Sequence, residues 1–439
     1  MKIAWFTPFS ANSAIGRSGR YVAECLASRA DVEIFCFDKD ETHSTAVPVR
    51  KFASHRDVTE QTLAGYDFAV YNFGNYLPYH GDLFEVSRRV PGVCVLHDYV
   101  LHHFFAGYYL EKSRDQAGYV AVMTRLYGDA GRAAAERSVS SRGPRVWETD
   151  EVVDFPMFEP AIAGARGVVT HSRFFRDRVE QAWAVPVIHL PLPYRIEGDP
   201  GRLTRQQLGI PEGKTLVVTI GHVNPNKRVD ATIEALGRIR TSAPAFQLVI
   251  AGPCPDTYRQ ELETHARRVG IDSNVTFAGR VSDDALHSIL ELADICVNLR
   301  YPVIEGASAS AIEEMLYGKP VIVSDIGFYA ELPADAVRRI DPHSVDQLAD
   351  ALRGLIGNRA EREATGARAR EFAGSEFRGE SYAARFLEFT REIRQASPVL
   401  GVADRIGIEC ARMGITPEMT IVETLAERLD ELWGDSTRP

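Results

Sequence analysis

Twice along this chain of 439 residues, short apolar runs alternate with helical periods, and a proline-rich break separates the two series. In the first series the strand candidates are Lys2–Thr7, Val32–Phe37, Tyr66–Tyr71, Gly92–Leu96, Gly167–Thr170 and Val185–Leu190, with helical segments such as Gly19–Arg29 between them. These runs are too short and too apolar for amphipathic surface strands, so they suit a parallel sheet covered on both faces. Residues 191–201 then hold three prolines and two glycines in eleven positions, the composition of a linker. Beyond it the strand candidates are Thr215–Ile220, Phe246–Ala251, Val275–Phe277, Ile295–Asn298, Pro320–Ser324 and Val337–Ile340. Helices are expected at Lys227–Arg240, Pro255–Val269, Asp283–Leu292 and Ala309–Tyr317. The expectation is two doubly wound, Rossmann-like α/β domains, 1–195 and 205–375, because one core does not serve a chain of this length.

Residues 101–150 interrupt the first series as a long, mostly helical insertion with Phe104, Phe105, Tyr108, Tyr109 and Trp147. After the second series a helix is expected over 376–395. Two further helical patterns, Ala403–Met413 and Pro417–Leu432, make an extension over 400–434.

Several classes of function are disfavoured. A net charge of −10 argues against a dedicated nucleic-acid binder. The six cysteines show neither C-x-x-C nor zinc spacing and fit a reducing compartment. The opening MKIAWFTPF reads as a strand and not as a secretion signal, and no apolar stretch reaches a membrane-spanning length. Asp38-Lys-Asp40 reads as a solvated turn. His97-Asp98-x3-His102-His103 lacks the carboxylate or cysteine partners of a metal site, so no metal is expected. No glycine fingerprint for a nicotinamide dinucleotide follows the first strand.

The stretch Asn298–Ser324 carries the most chemistry. A strand ends near Asn298, a loop contains Glu305, and a helix with Glu313 in its second turn begins around Ser308. Small residues from Gly306 to Ser310 let a ligand approach the backbone, and the first turn of the helix offers free N–H groups and a positive dipole end. Acidic residues placed to suit the dipole would read the same way in isolation. The other carriers are Gly221-His222 and Lys227-Arg228 after the first strand of the second series, and His97 at a strand end. Weaker carriers are the Gly16 loop after the first strand, Arg280 after the strand at 275–277, and Glu331 in a later turn.

The run from Glu305-Gly306 through Glu313 to Gly318-Lys-Pro-Val-Ile resembles the E-x7-E signature of retaining family-4 glycosyltransferases, which have the GT-B fold. The resemblance implies a metal-independent enzyme that holds a nucleotide sugar as co-substrate, with an acceptor domain first and a donor domain second. It implies that Glu305 contacts the transferred sugar and Glu313 the ribose, while amides of Gly306, Ala307 and Ser308 serve the sugar and diphosphate. Lys227 and Arg228 would hold the diphosphate beside Gly221, with Gly16 in the loop that closes over it. His222 stands where most relatives have a second phosphate-binding arginine. Arg280 would lie near the base, and His97 would touch the sugar, so His97, Glu305 and Lys227 form the expected catalytic group. The helix at 376–395 would return to brace the first domain.

The function so implied is transfer of a hexose-type sugar to a glycan, lipid-linked or small-molecule acceptor, in bacterial surface-polysaccharide or glycoconjugate synthesis. A cytoplasmic place is implied, at the inner membrane face where the acceptor is lipid-linked. The insertion is the acceptor-specific candidate, and its arginines at 125, 132, 137, 142 and 145 suit either a phosphate-bearing acceptor or a merely solvated face. Self-association through the C-terminal helices is a further expectation. Two rivals stand: a GT-B phosphorylase or donor-cleaving enzyme, and a catalytically silent sugar-nucleotide binder.

Overall fold

A computed structural model describes residues 1–140, 143–197, 203–416 and 419–437. The first sheet holds β1 (Lys2–Phe6), β2 (Asp31–Cys36), β3 (Val49–Lys51), β4 (Phe68–Phe73), β5 (Val93–Leu96), β6 (Gly167–Thr170) and β7 (Val187–His189). The second holds β8 (Thr215–Ile220), β9 (Phe246–Ala251), β10 (Val275–Gly279), β11 (Ile295–Asn298), β12 (Val321–Ser324) and β13 (Val337–Ile340). Every pairing is parallel, in the orders β3-β2-β1-β4-β5-β6-β7 and β10-β9-β8-β11-β12-β13. Every residue of β4, β9 and β12 is buried, which explains their mainly apolar sequence. Only β3 was not expected. Its three residues, Val49-Arg-Lys, are all exposed on the sheet edge, so no apolar signal marks them.

The strand order reverses at β1/β4 in one sheet and at β8/β11 in the other. Open α/β sheets bind ligands outside the carboxyl ends of such strands. Here the loops after β1, β5, β8 and β11 come together from both sheets.

Residues 379–412 form one helix that runs through Pro398, not two helices separated before Ala403. Its first turns lie on the first sheet: Phe386 packs edge-on to Trp5 at 5.9 Å, and Arg394 pairs with Asp67 at 2.9 Å. The helix Thr420–Thr437 packs on its far end, and the expected start of that segment, 417–418, lies outside the described residues.

The insertion leaves β5 as the helix His102–Ala106 and the wider turn Gly107–Lys112. It continues as a long helix, Gln116–Ser140, broken at Gly128 where φ is 62°. Phe104 and Phe105 pack edge-on to Phe84 at 5.6 and 5.2 Å, fastening it to the domain core. Three of its five arginines have partners among the described residues. Arg132 pairs with Glu136 at 3.2 Å, Arg137 with Glu151, and Arg145 lies 5.5 Å over the Trp147 ring; Arg142 falls outside the described residues.

Candidate active site

A cavity of about 350 Å³ lies between the two domains. One wall is the start of the helix Ala14–Ala27, whose Ser13 hydroxyl accepts the Gly16 amide at 3.0 Å. A side chain at Gly16 would put Cβ 2.6 Å from the Pro8 carbonyl, so only glycine lets this helix sit so close to the preceding loop. One residue on, Arg17 enters the cavity and reaches Asp283 of the second domain at 3.6 Å.

His97 and Asp98, at the end of β5, form another part of the wall. The Asn72 side-chain amide nitrogen donates to the Phe6 carbonyl at 2.9 Å, which fixes its oxygen toward His97. His97 Nε2–H therefore donates to Asn72 Oδ1 at 3.0 Å. Burial, with the His171 and His80 rings nearby, holds the His97 pKa well below the ordinary value. A neutral ring protonated on Nε2 keeps Nδ1 as an acceptor for a ligand hydroxyl. Asp98 accepts the Asn75 amide at 2.7 Å, and burial nevertheless raises its pKa to about 7, with Glu305 adding to the rise.

The opposite wall is the strap after β11 and the helix Ala309–Leu316. Ser308 caps this helix by accepting the Ala311 amide at 3.2 Å. The Ala307 and Ser308 amides have no hydrogen-bond partner among the described residues. Glu313 is buried in the second turn. Burial raises its pKa, opposed by a hydrogen bond from Tyr194 and by His287 and Arg17. Tyr194 comes from the linker and joins Glu313 to Arg17.

Beneath the Gly221 turn, where φ is 88°, Lys227 Nζ donates to the Ile220 carbonyl. The positive φ favours glycine at 221, and a Cβ there would stand 2.6 Å from that nitrogen and push the Lys227 ammonium aside. Burial lowers the Lys227 pKa to about 7; neighbouring Arg300 contributes, while Glu314 and Glu305 oppose it. Glu314, fully buried, accepts from the Asn298 side chain at 2.9 Å, and its pKa is pushed up to about 8, chiefly by burial.

Of the expected residues, His97, Gly221, Ala307 and Glu313 line the cavity together. Glu305 stands behind the lining, where its Oε1 receives Arg300 Nε at 2.9 Å and the Tyr329 hydroxyl at 2.6 Å. The Gly306 amide is not free for a ligand, because it donates to the His97 carbonyl at 2.8 Å. Arg228 turns away in a left-handed conformation, donates to the Pro342 carbonyl at 2.8 Å and lines a different cavity. His222 and Arg280 are exposed and do not line the cavity. Glu331 instead caps the helix Arg173–Ala182 of the first domain, accepting the Arg173 and Phe174 amides at 3.0 and 2.7 Å. Asp98, Arg17 and Tyr194 were missed. Asp98 obeys the same strand-end rule that singled out His97, whereas Tyr194 sits in a stretch readable only as linker. Among the described residues no group of three or more His, Cys, Asp and Glu is placed to hold a metal ion.

Two doubly wound domains facing a cleft that offers a helix N-terminus and a buried glutamate define the GT-B class of fold. Residues 202–372 match the family described as "Glycosyl transferases group 1". The chain is 31% identical over 182 residues to a GDP-mannose-dependent alpha-(1-6)-phosphatidylinositol monomannoside mannosyltransferase of Mycobacterium tuberculosis, covering 40% of this chain and 47% of that one. It is 26% identical over 192 residues to a lipopolysaccharide 1,2-N-acetylglucosaminetransferase of Salmonella typhimurium, covering 42% and 50%. The chain thus spans about half the length of these curated relatives. The fold is shared over far more of the chain. Anabaena Alr3699/HepE, solved with UDP and glucose, superposes with a TM-score of 0.60 at 18% identity, over 89% of this chain and 99% of that one. The lipopolysaccharide glycosyltransferase WaaG superposes with a TM-score of 0.54 at 19% identity, over 87% and 98%.

Proposed function

We propose that this protein transfers a hexose-type sugar from a nucleotide-sugar donor to a glycan, lipid-linked or small-molecule acceptor, with retention of anomeric configuration and without a metal ion. One observation carries the reading. Glu313 is buried in the interdomain cavity beside the unpaired Ala307 and Ser308 amides, with the neutral imidazole of His97 on the facing domain.

In this reading the Glu313 carboxylate takes the ribose hydroxyls. The helix-end amides and Lys227 receive the diphosphate and stabilise the charge that grows on it as the glycosidic bond breaks. His97 Nδ1 accepts a sugar hydroxyl and orients the ring. Glu305, tied to Arg300 and Tyr329, holds the strap in place and faces the sugar with its remaining oxygen. With domain closure excluding water, the donor survives until the acceptor hydroxyl attacks. Names of relatives that act on phosphatidylinositol mannoside and lipopolysaccharide support a place in bacterial surface-glycoconjugate synthesis. Such donors are cytoplasmic, and a lipid-linked acceptor would bring the enzyme to the inner face of the membrane; among the described residues no helix is long and apolar enough to cross one.

Thermal shift against UDP-, GDP-, TDP- and ADP-sugars tests the reading, followed by a donor-hydrolysis assay with and without EDTA. Stabilisation by one nucleotide sugar that is lost in Glu313→Ala, with hydrolysis indifferent to EDTA, is the expected result. No response to any nucleotide sugar would sink it.

A further inference from the structure

A second and larger cavity, about 810 Å³, lies between the helical insertion and the second domain. It adjoins the donor cavity across a thin partition. Ile304 lines the second and Ala307 the first, so Glu305 and Gly306 stand between them. Gly221 lines the first and Asn224 the second, with Lys227 in the same loop. A path of two hydrogen bonds also joins them: Asp98 accepts the Asn75 amide at 2.7 Å, and the Asn75 side chain reaches His103 Nδ1 at 3.1 Å. Asp98 faces the donor cavity and His103 the second.

The lining is chemically specific. Trp147 comes from the insertion and Tyr258 from the second domain. Tyr301 and His343 meet edge to face with ring centroids 4.2 Å apart. Such rings cover the C–H faces of a sugar. Asn224 Oδ1 and Asp230 Oδ1 are buried acceptors without a hydrogen-bond partner, the nearest cation to the latter being Arg228 Nε at 3.7 Å. Buried acceptors left unpaired are costly and call for a donor group such as a hydroxyl or an amine. Glu148, Asp150 and Glu261 add further carboxyl side chains, while Arg228 donates to the Pro342 carbonyl. A phosphate or carboxylate group would meet like charge here.

We propose that this cavity is the acceptor subsite and that it takes a hydroxyl-rich sugar carrying no phosphate or carboxylate group. The proposal rests on the glycosyl-transfer reading for its role but not for the binding itself. Of the two alternatives that the insertion's arginines leave open in the sequence, it sets aside the phosphate-bearing acceptor: Arg132 and Arg137 are paired with glutamates and Arg145 covers an indole.

Saturation-transfer NMR on the full chain without nucleotide tests the binding. The probes are methyl α-glucoside, methyl α-mannoside, glucosamine and glucose 6-phosphate. A neutral or amine-bearing sugar should bind and glucose 6-phosphate should not. Trp147→Ala should weaken binding about tenfold. Trp147 also packs against His102 and Tyr119, at 5.7 and 6.3 Å, so this variant could lose its fold. Asp150 is exposed, and Asp150→Lys supplies the second arm by shifting preference toward glucose 6-phosphate. Tighter binding of glucose 6-phosphate than of any uncharged sugar by the unmodified protein would overturn the proposal. So would an absence of sugar binding at millimolar concentration, or sugar binding that neither variant changes. Because nucleotide is left out, a failure of the donor reading appears separately, in the thermal shifts.

Discussion

The Gly306 amide donates to the His97 carbonyl at 2.8 Å, joining the strap of the second domain to the end of β5 in the first by main chain alone. The Val100 amide repeats the link to the Ile304 carbonyl at 2.9 Å, and Asp98 and Glu305 pair between them. The two residues expected to meet one sugar from opposite sides, His97 and Glu305, are therefore held in register before any ligand arrives.

That seam has no room for a side chain at Gly306. A Cβ there would lie 2.8 Å from the His97 carbonyl oxygen and 3.4 Å from the Phe175 ring. Gly306→Ala should cost about 1–3 kcal/mol in urea unfolding, the usual range for overpacking, and reduce the nucleotide-sugar thermal shift. Unchanged values for both would mean that the domains separate freely in solution.

Glu331 makes a second link, capping the first turn of a helix in the other domain through two backbone amides. Glu331→Ala leaves those donors without their partner and removes a negative charge from the positive helix end. A loss of about 0.5–2 kcal/mol is expected, with weaker donor binding as the cleft loosens. Donor titration and urea unfolding on the same preparation check it. Weaker donor binding without any loss of stability would instead place Glu331 at the ligand.

Asp98 carries a pH signature. Its folded pKa, raised to about 7 by burial, exceeds its unfolded value, so the folded state holds the proton more tightly. The favourable contribution is complete below about pH 4 and is lost as pH rises toward 7. Asp98→Asn keeps an oxygen for the Asn75 amide and removes the ionisation. It should flatten the fall in stability between about pH 4 and 7 and gain about 1–3 kcal/mol at pH 8. Urea midpoints across that range decide it, and a variant whose profile parallels the parent would show Asp98 to be ionised throughout.

Legibility in the sequence followed burial. Strands such as Thr215–Ile220 and Phe246–Ala251 could be read to the residue because every position but the first of β8 is buried. The edge strand Val49–Lys51 could not, since nothing in it faces a core. At the site, carboxylates and small residues around a helix start pointed to Glu313, Ala307 and Ser308 only together with the resemblance they carry. What spacing does not encode is which way a side chain turns after a tight loop. Lys227 and Arg228 are adjacent, yet Lys227 turns under Gly221 to the Ile220 carbonyl while Arg228, with a left-handed φ of 51°, lines the second cavity. Nor does it encode contacts made across the cleft. Tyr194, Arg17 and Glu331 acquire their partners only once the two domains meet.

Lys227 offers the most direct check on the diphosphate role. Burial, with Arg300 nearby, brings its pKa down to about 7, so without ligand the amine is mostly neutral at pH 8. A bound diphosphate favours the ammonium form and raises that pKa. Donor binding above pH 7 must then take up a proton, and affinity must fall as pH rises from about 7. Calorimetry at pH 8 in two buffers of different ionisation heat reads the uptake directly. Lys227→Met should abolish the uptake and weaken donor binding by about 10–100-fold, the worth of a lost charge-assisted contact. If the uptake persists in the variant, the proton goes elsewhere. If neither uptake nor affinity changes, Lys227 serves only to brace the Gly221 turn through the Ile220 carbonyl.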